Sequence, residues 1–167
     1  MIWILTWLVL SGMVHAQELS IDRVKEIEMY TQRVTLVHEY KEKVIGKRID
    51  YDRNGSYQCV DLAKDWYSKL TKSLAPAFNG SAYKAWKYWV QWLVKTKTPL
   101  PWDLVFFKIY WRTAWHVGVF LFEEWKYIWV IDQNGGRWSG TWRSWDQARI
   151  AKYSKSIVLW YKTFMSE

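Results

Sequence analysis

Apolar positions change their spacing part-way along the chain. After Ser20, residues Ile21, Val24, Ile27, Tyr30 and Val34 recur every three or four positions, the period of one helix face. A helix from Ser20, as N-cap, to about Lys43 follows, and Gly46 ends it. Residues 47–57 are polar and read as a loop. Val60, Leu62, Ala63, Trp66, Tyr67 and Leu70 predict a second helix, from about Gln58 to Lys72. Residues 75–80 read as a loop and 81–94 as a short aromatic helix. Beyond it the texture turns β-branched and aromatic, and residues 103–110, 116–123, 126–132 and 156–164 read as strands. Helices first and strands after predict an α+β fold with an antiparallel sheet. Residues 135–143 read as one long Gly/Ser/Arg loop.

The first stretch stands apart. Met1 to Val14 carries no charge, and Val14-His15-Ala16 offers residues a signal peptidase accepts. We expect a signal peptide over 1–16, a helical segment of the main domain over 17–45, and a catalytic domain over 46–167. Export to the cell envelope or medium follows; an uncleaved membrane anchor is the alternative, although the apolar run is short for a bilayer. The 167 residues suit one domain. Lys and Arg outnumber Asp and Glu by 24 to 16, for a net charge of +8. Such a surface favours a polyanion (nucleic acid, anionic lipid or an envelope polymer) or serves solubility alone. A single cysteine, Cys59, excludes an internal disulfide and a multi-cysteine zinc site.

That cysteine lies among carboxylates, which disfavour a thiolate. Counted from Asp50, oxygen donors fall at positions 1 (Asp50), 3 (Asp52), 5 (Asn54), 7 (Ser56, through its carbonyl) and 12 (Asp61), with Gly55 at position 6. This is the spacing of a calcium loop, in which a hard cation gathers six to eight oxygens. The plainer reading is an Asp/Asn/Gly turn capping a helix. A bound cation would neutralise the aspartates around the thiol.

Cys59 falls at the start of the second helix, where the helix dipole favours a thiolate. A buried, inert cysteine is the ordinary alternative. Downstream stand His116 in WHVGVF, then Asp132 and Asn134 in IDQN. A nucleophilic thiol needs an imidazole base, and the imidazole needs a carboxylate or amide to set its tautomer. Asp132 and Asn134 are expected on one face of an extended strand. His38 lacks this context, and His15 would leave with the signal.

CVDLA around Cys59, the P-x-D-L-V-F-F segment from Pro101, HVGVF from His116 and IDQN from Ile131 together resemble a CHAP domain, a cysteine, histidine-dependent amidohydrolase/peptidase of endolysins and bacterial wall hydrolases. The likeness covers roughly Gly46 to Phe164. It implies a papain-like fold and amide cleavage in peptidoglycan, as an N-acetylmuramoyl-L-alanine amidase or an endopeptidase. Cys59 would be the nucleophile, His116 the base, Asp132 the orienting acid where many relatives carry Glu, and Asn134 a further polar residue. Calcium-binding members carry aspartates nine and seven residues before the cysteine and two after it, where Asp50, Asp52 and Asp61 stand. Peptidoglycan, not nucleic acid, would be the partner of a monomer that meets the membrane only through its signal. Gln58 is a further candidate oxyanion donor. A catalytically inactive wall-binding module and a calcium-binding protein are the alternatives; no second loop supports a paired calcium sensor.

One departure is large: 15 Trp against 8 Gly. Trp102 and Trp115 stand where the family pattern carries glycine, Trp125 at an expected hairpin tip, and Trp138 and Trp142 in the long loop. Either the chain bears a sugar-stacking aromatic surface, or UGA codons read as glycine in the source have been rendered as tryptophan. The second alternative places these residues at glycine-like backbone angles, with Trp115 crowding the cleft.

Overall fold

The computed structural model describes residues 2–55, 57–75, 81–88, 93–108, 115–135 and 146–164, with side chains from Ile21 onward. Contacts divide the chain into two units, Met1–Thr35 and Leu36–Glu167.

The first unit is helical. Helix α1 spans Ile2–Val44, so Ser20 lies inside it and not at its start: no proline or glycine pair interrupts the apolar stretch before it. Its exposed hydroxyls bond back along the helix, Thr31 to the Ile27 carbonyl at 2.8 Å and Thr35 to the Thr31 carbonyl at 2.9 Å. Ile21, Val24 and Ile27 are exposed. Among the described residues, no helix is long and apolar enough to cross a membrane.

In the second unit the end of α1 buries Val37, Tyr40 and Val44. Tyr40 packs its ring 4.9 Å from that of Trp66 and donates to the Leu62 carbonyl. Gly46, at φ +78°, releases the chain from the helix. Helix α2 is Cys59–Thr71, with Gln58 extended at the N-cap and Lys72 left-handed at the C-cap. Asp61, in the first turn, accepts the Gln58 N–H at 2.9 Å, which ties off the helix start. Helix α3 is Ala82–Tyr88.

Six strands follow: β1 Leu93–Thr96, β2 Leu104–Lys108, β3 Trp115–Glu124, β4 Tyr127–Asp132, β5 Arg149–Ser154 and β6 Val158–Phe164. All pairings are antiparallel, in the order β1-β6-β2-β3-β4-β5. The α+β expectation holds, with two corrections. Leu93 and Val94, expected in the aromatic helix, form an edge strand because they pair with Phe164 and Thr163. Strand β5 was not anticipated: its exposed Ile150 and Lys152 alternate with buried Ala151 and Tyr153, a pattern with little apolar signal.

A three-residue 3-10 turn, Lys155–Ile157, joins β5 to β6. In a flat sheet these strands would be four spacings apart, about 19 Å, whereas the connection reaches about 14 Å at most. The sheet therefore curls. Its concave side encloses Val105, Phe107, Phe120, Ile128, Val130, Ala151 and Tyr153, with Ile157, Val158 and Tyr161 packed against them. The functional residues described below sit at one end of this core.

Candidate functional site

His116 is the second residue of β3, opposite Phe107 in the ladder. The Phe107 ring stacks on the imidazole at a 26° interplanar angle, which limits how far the imidazole can turn. Asp132 ends β4, and its Oδ2 lies 2.9 Å from His116 Nε2. Both groups are buried, Asp132 completely. Cys59 opens α2, is itself buried, and its thiol lies close enough to the His116 ring to be among the causes that raise the imidazole's pKa. With Nε2 held by Asp132, Nδ1 is the ring nitrogen left for the thiol. The structure thus brings together Cys59, His116 and Asp132 from one helix and two strands.

Burial works against a charged imidazole here. Attraction to Cys59, hydrogen bonds to Asp132 and Cys59, and the Asp132 charge outweigh it, and the His116 pKa is pushed up to about 10. Burial would likewise raise Asp132, but the bond and charge of His116, then Arg149 and Tyr153, hold it below its ordinary value. Asp132 therefore stays a carboxylate and orients the imidazole without taking its proton.

Several neighbours escaped the sequence reading. Arg149 Nε donates to Asp132 Oδ1 at 3.0 Å, and the Tyr153 hydroxyl makes a short bond to Oδ2. Gly135 lies so close that a Cβ there would collide with Asp132 Oδ2, the Tyr153 hydroxyl and Arg149 Nη2. Gln133, fully buried, accepts from the Ile49 N–H and donates to the carbonyls of Ile49 and Gln58. The only signal for it was its place beside Asp132.

Asn134 departs from expectation. The strand ends at Asp132, and Asn134 turns to φ +58°, so the two do not share a strand face. Its amide donates to Gln58 Oε1 at 3.1 Å. Asn134 thus holds the Gln58 side chain beside Cys59, and Asp132 alone of the two takes the imidazole.

In the 50–61 loop, Asp50 accepts the N–H groups of Asn54 (3.1 Å) and Gly55 (2.9 Å). Gly55 supplies the φ of +78° that the turn needs. Asp52 pairs with buried Lys64 at 3.2 Å. Asp61 gives one oxygen to the Gln58 N–H, while Oδ1 is buried with no hydrogen-bond partner. Its pKa rises to about 6, through burial first and then the charges of Asp52 and Asp50, against the opposing effects of the Gln58 N–H bond and Lys64. Among the described residues, no three acidic, His or Cys groups converge closely enough to hold a metal; Ser56 lies outside them. The all-oxygen donor set and the orphaned Asp61 oxygen fit a hard cation, while Asp50 and Asp52 already have partners.

Two tryptophans take glycine-like angles: Trp102 at φ +155° and Trp125 at φ +54°. Trp125 is 88% exposed, at the turn between β3 and β4; Trp102 is buried, and its carbonyl accepts the Trp66 indole N–H at 2.8 Å. Trp115 does not crowd the thiol–imidazole pair as expected. It packs 4.9 Å from the rings of both Tyr83 and Trp86 on α3, because successive strand residues face opposite sides. Trp138 and Trp142 lie outside the described residues.

No protein-family model matches the chain, and no curated protein matches it. Among solved structures it is similar to the crystal structure of a wild-type endolysin, LysIME-EF1. The TM-score is 0.52 at 16% identity, over 78% of this chain and 63% of that one. The helices and curled antiparallel sheet are thus an endolysin-like fold. The match spans less than two thirds of that endolysin's chain, and at this identity the likeness is one of fold.

Proposed function

We propose that the chain is a CHAP-type cysteine hydrolase that cuts an amide bond in peptidoglycan. The observation that carries this is the Cys59–His116–Asp132 relay, with the thiol at a helix start and the imidazole held by a buried carboxylate. The endolysin-like fold supports the choice of substrate.

In this reading His116 Nδ1 takes the Cys59 proton and the sulfur attacks the amide carbonyl. The oxyanion receives the Cys59 N–H at the start of α2, with the Gln58 amide, held by Asn134, beside it. His116 then protonates the departing amine as the C–N bond breaks. Water, deprotonated by His116, attacks the thioester, and the carboxylic acid leaves as the thiol is restored. Asp132 keeps the ring in register throughout. Asp50, Asp52, Asn54, Ser56 and Asp61 are the residues that would hold a calcium ion. Its contribution would be to neutralise the loop before Cys59 and anchor it. The first 16 residues act as an export signal in this reading.

The test is digestion of purified peptidoglycan, with fragments read by mass spectrometry. The wild-type chain should release new amine termini, and Cys59→Ser should release none. Binding without cleavage by the wild type would instead favour an inactive wall-binding module.

A further inference from the structure

Both oxygens of Asp132 are spoken for. Oδ1 accepts Arg149 Nε at 3.0 Å; Oδ2 accepts His116 Nε2 at 2.9 Å and also the Tyr153 hydroxyl. The two outer donors come from β5, where Arg149 stands directly opposite Asp132 in the ladder and Tyr153 opposite Ile128. Tyr153 is itself held by the core, its ring 4.8 Å from that of Phe107, which in turn stacks on His116. Gly135 closes the cluster, since no side chain fits there.

A carboxylate this deeply buried and unpaired would take up a proton. A neutral Asp132 could offer Oδ2 as an O–H donor. His116 could then settle in the tautomer that carries its proton on Nδ1, and Nδ1 could not accept the proton of Cys59. Arg149 opposes this by charge and Tyr153 by direction.

We propose that Arg149 and Tyr153 are positioning residues that keep Asp132 ionised and aimed at His116 Nε2, so that Nδ1 is presented to Cys59 as a base. The proposal rests on the thiol chemistry assigned above. It adds two residues that act through Asp132 without touching the substrate.

The full chain carries the test, as Tyr153→Phe, Arg149→Lys and Arg149→Met. Two readouts are compared: kcat and KM for peptidoglycan solubilisation, and the rate at which iodoacetamide alkylates Cys59 at neutral pH. Cys59 is the single cysteine, so alkylation reports on it alone and needs no peptidoglycan. Loss of one hydrogen bond to a charged group predicts that Tyr153→Phe lowers kcat by about tenfold with KM unchanged. Alkylation should slow in parallel. Arg149→Met should lower both further, and Arg149→Lys, which keeps the charge, should recover part. In an Asp132→Asn background Tyr153→Phe should add little, because residues acting through one group are not additive. Should Arg149→Met fail to fold, Tyr153→Phe and Arg149→Lys decide the matter.

Wild-type alkylation rates in a folded Tyr153→Phe chain would overturn the proposal, as would a full additional loss in the Asp132→Asn background. Slowed alkylation in a chain that never digests peptidoglycan would keep the positioning role and overturn the substrate assignment. Peptidoglycan digestion with unaltered alkylation in the variants would do the reverse.

Discussion

Gln133 clasps the backbone of Ile49 with both ends of its amide: Oε1 accepts the Ile49 N–H and Nε2 donates to the Ile49 carbonyl, each at 2.7 Å. The pair ties the end of β4, where Asp132 stands, to the loop that leads into α2 and Cys59. A third bond, to the Gln58 carbonyl at 3.1 Å, completes the tie. Gln133→Ala removes three part-buried bonds and should cost about 2–4 kcal/mol. Denaturant unfolding would measure it. A loss within error of zero would mean that water replaces the amide without cost.

The raised His116 pKa carries a pH signature. A group whose folded pKa lies above its unfolded value adds stability below the unfolded value, about 6.5, and loses it as pH rises through about 10. The stability gap between wild type and His116→Gln should therefore be widest at and below about pH 6.5 and shrink between about pH 6.5 and 10. Thermal melts across that range provide the check. A gap that widens with pH would contradict the electrostatic assignment.

Calcium should act on the loop before Cys59. Asp61 Oδ1 is buried with no hydrogen-bond partner, and ligand binding raises stability by mass action. Millimolar calcium is expected to raise the melting temperature and chelator to lower it. Asp61→Asn should abolish the response, and Lys64→Met should strengthen calcium binding by releasing Asp52. Identical melts with calcium and with chelator would remove calcium from the account.

The tryptophans at glycine-like angles give a sharper contrast. At Trp125 the left-handed backbone costs a bulky residue about 1–2 kcal/mol, and the exposed indole has little burial to offset it. Trp125→Gly should melt at or above the wild-type temperature. Trp102 is 1% exposed, so if its indole is a true core element, Trp102→Gly should cost about 3–5 kcal/mol. A neutral Trp102→Gly would mark the position as one that belongs to glycine. The coding DNA gives the independent answer: UGG at 102, 115, 125, 138 and 142 establishes tryptophan and ends the recoding alternative.

Local signals were enough for much of this chain. The apolar period of 60–70 places α2 to within a residue of its observed bounds, Cys59–Thr71, because an amphipathic helix announces its face at fixed spacing. Long β-branched and aromatic runs mark β2, β3, β4 and β6 in the same way. The order of Cys59, His116 and Asp132 along the chain is that of a thiol–imidazole–carboxylate set.

What local pattern could not convey was which residues complete the relay. Strand β5 (Arg149–Ser154) mixes charged Arg149 and Lys152 with Ile150, Ala151 and Tyr153 and shows no apolar/polar alternation of its own; it becomes a strand when paired with β4 along Asp132↔Arg149 and its neighbours. Strand β1 exists for a similar reason, through its ladder with β6. Asn134 looked like a partner of Asp132 by spacing, and a turn at the strand end sent it to Gln58 instead. The sequence by itself determined helix α2, the longer strands and the chemical type of the central residues, since these depend on periodicity and residue chemistry close along the chain. Tertiary structure decided that Arg149, Tyr153 and Gly135 surround Asp132. Their approach depends on sheet pairing and on the curl imposed by a three-residue turn, and neither leaves a mark in the local pattern.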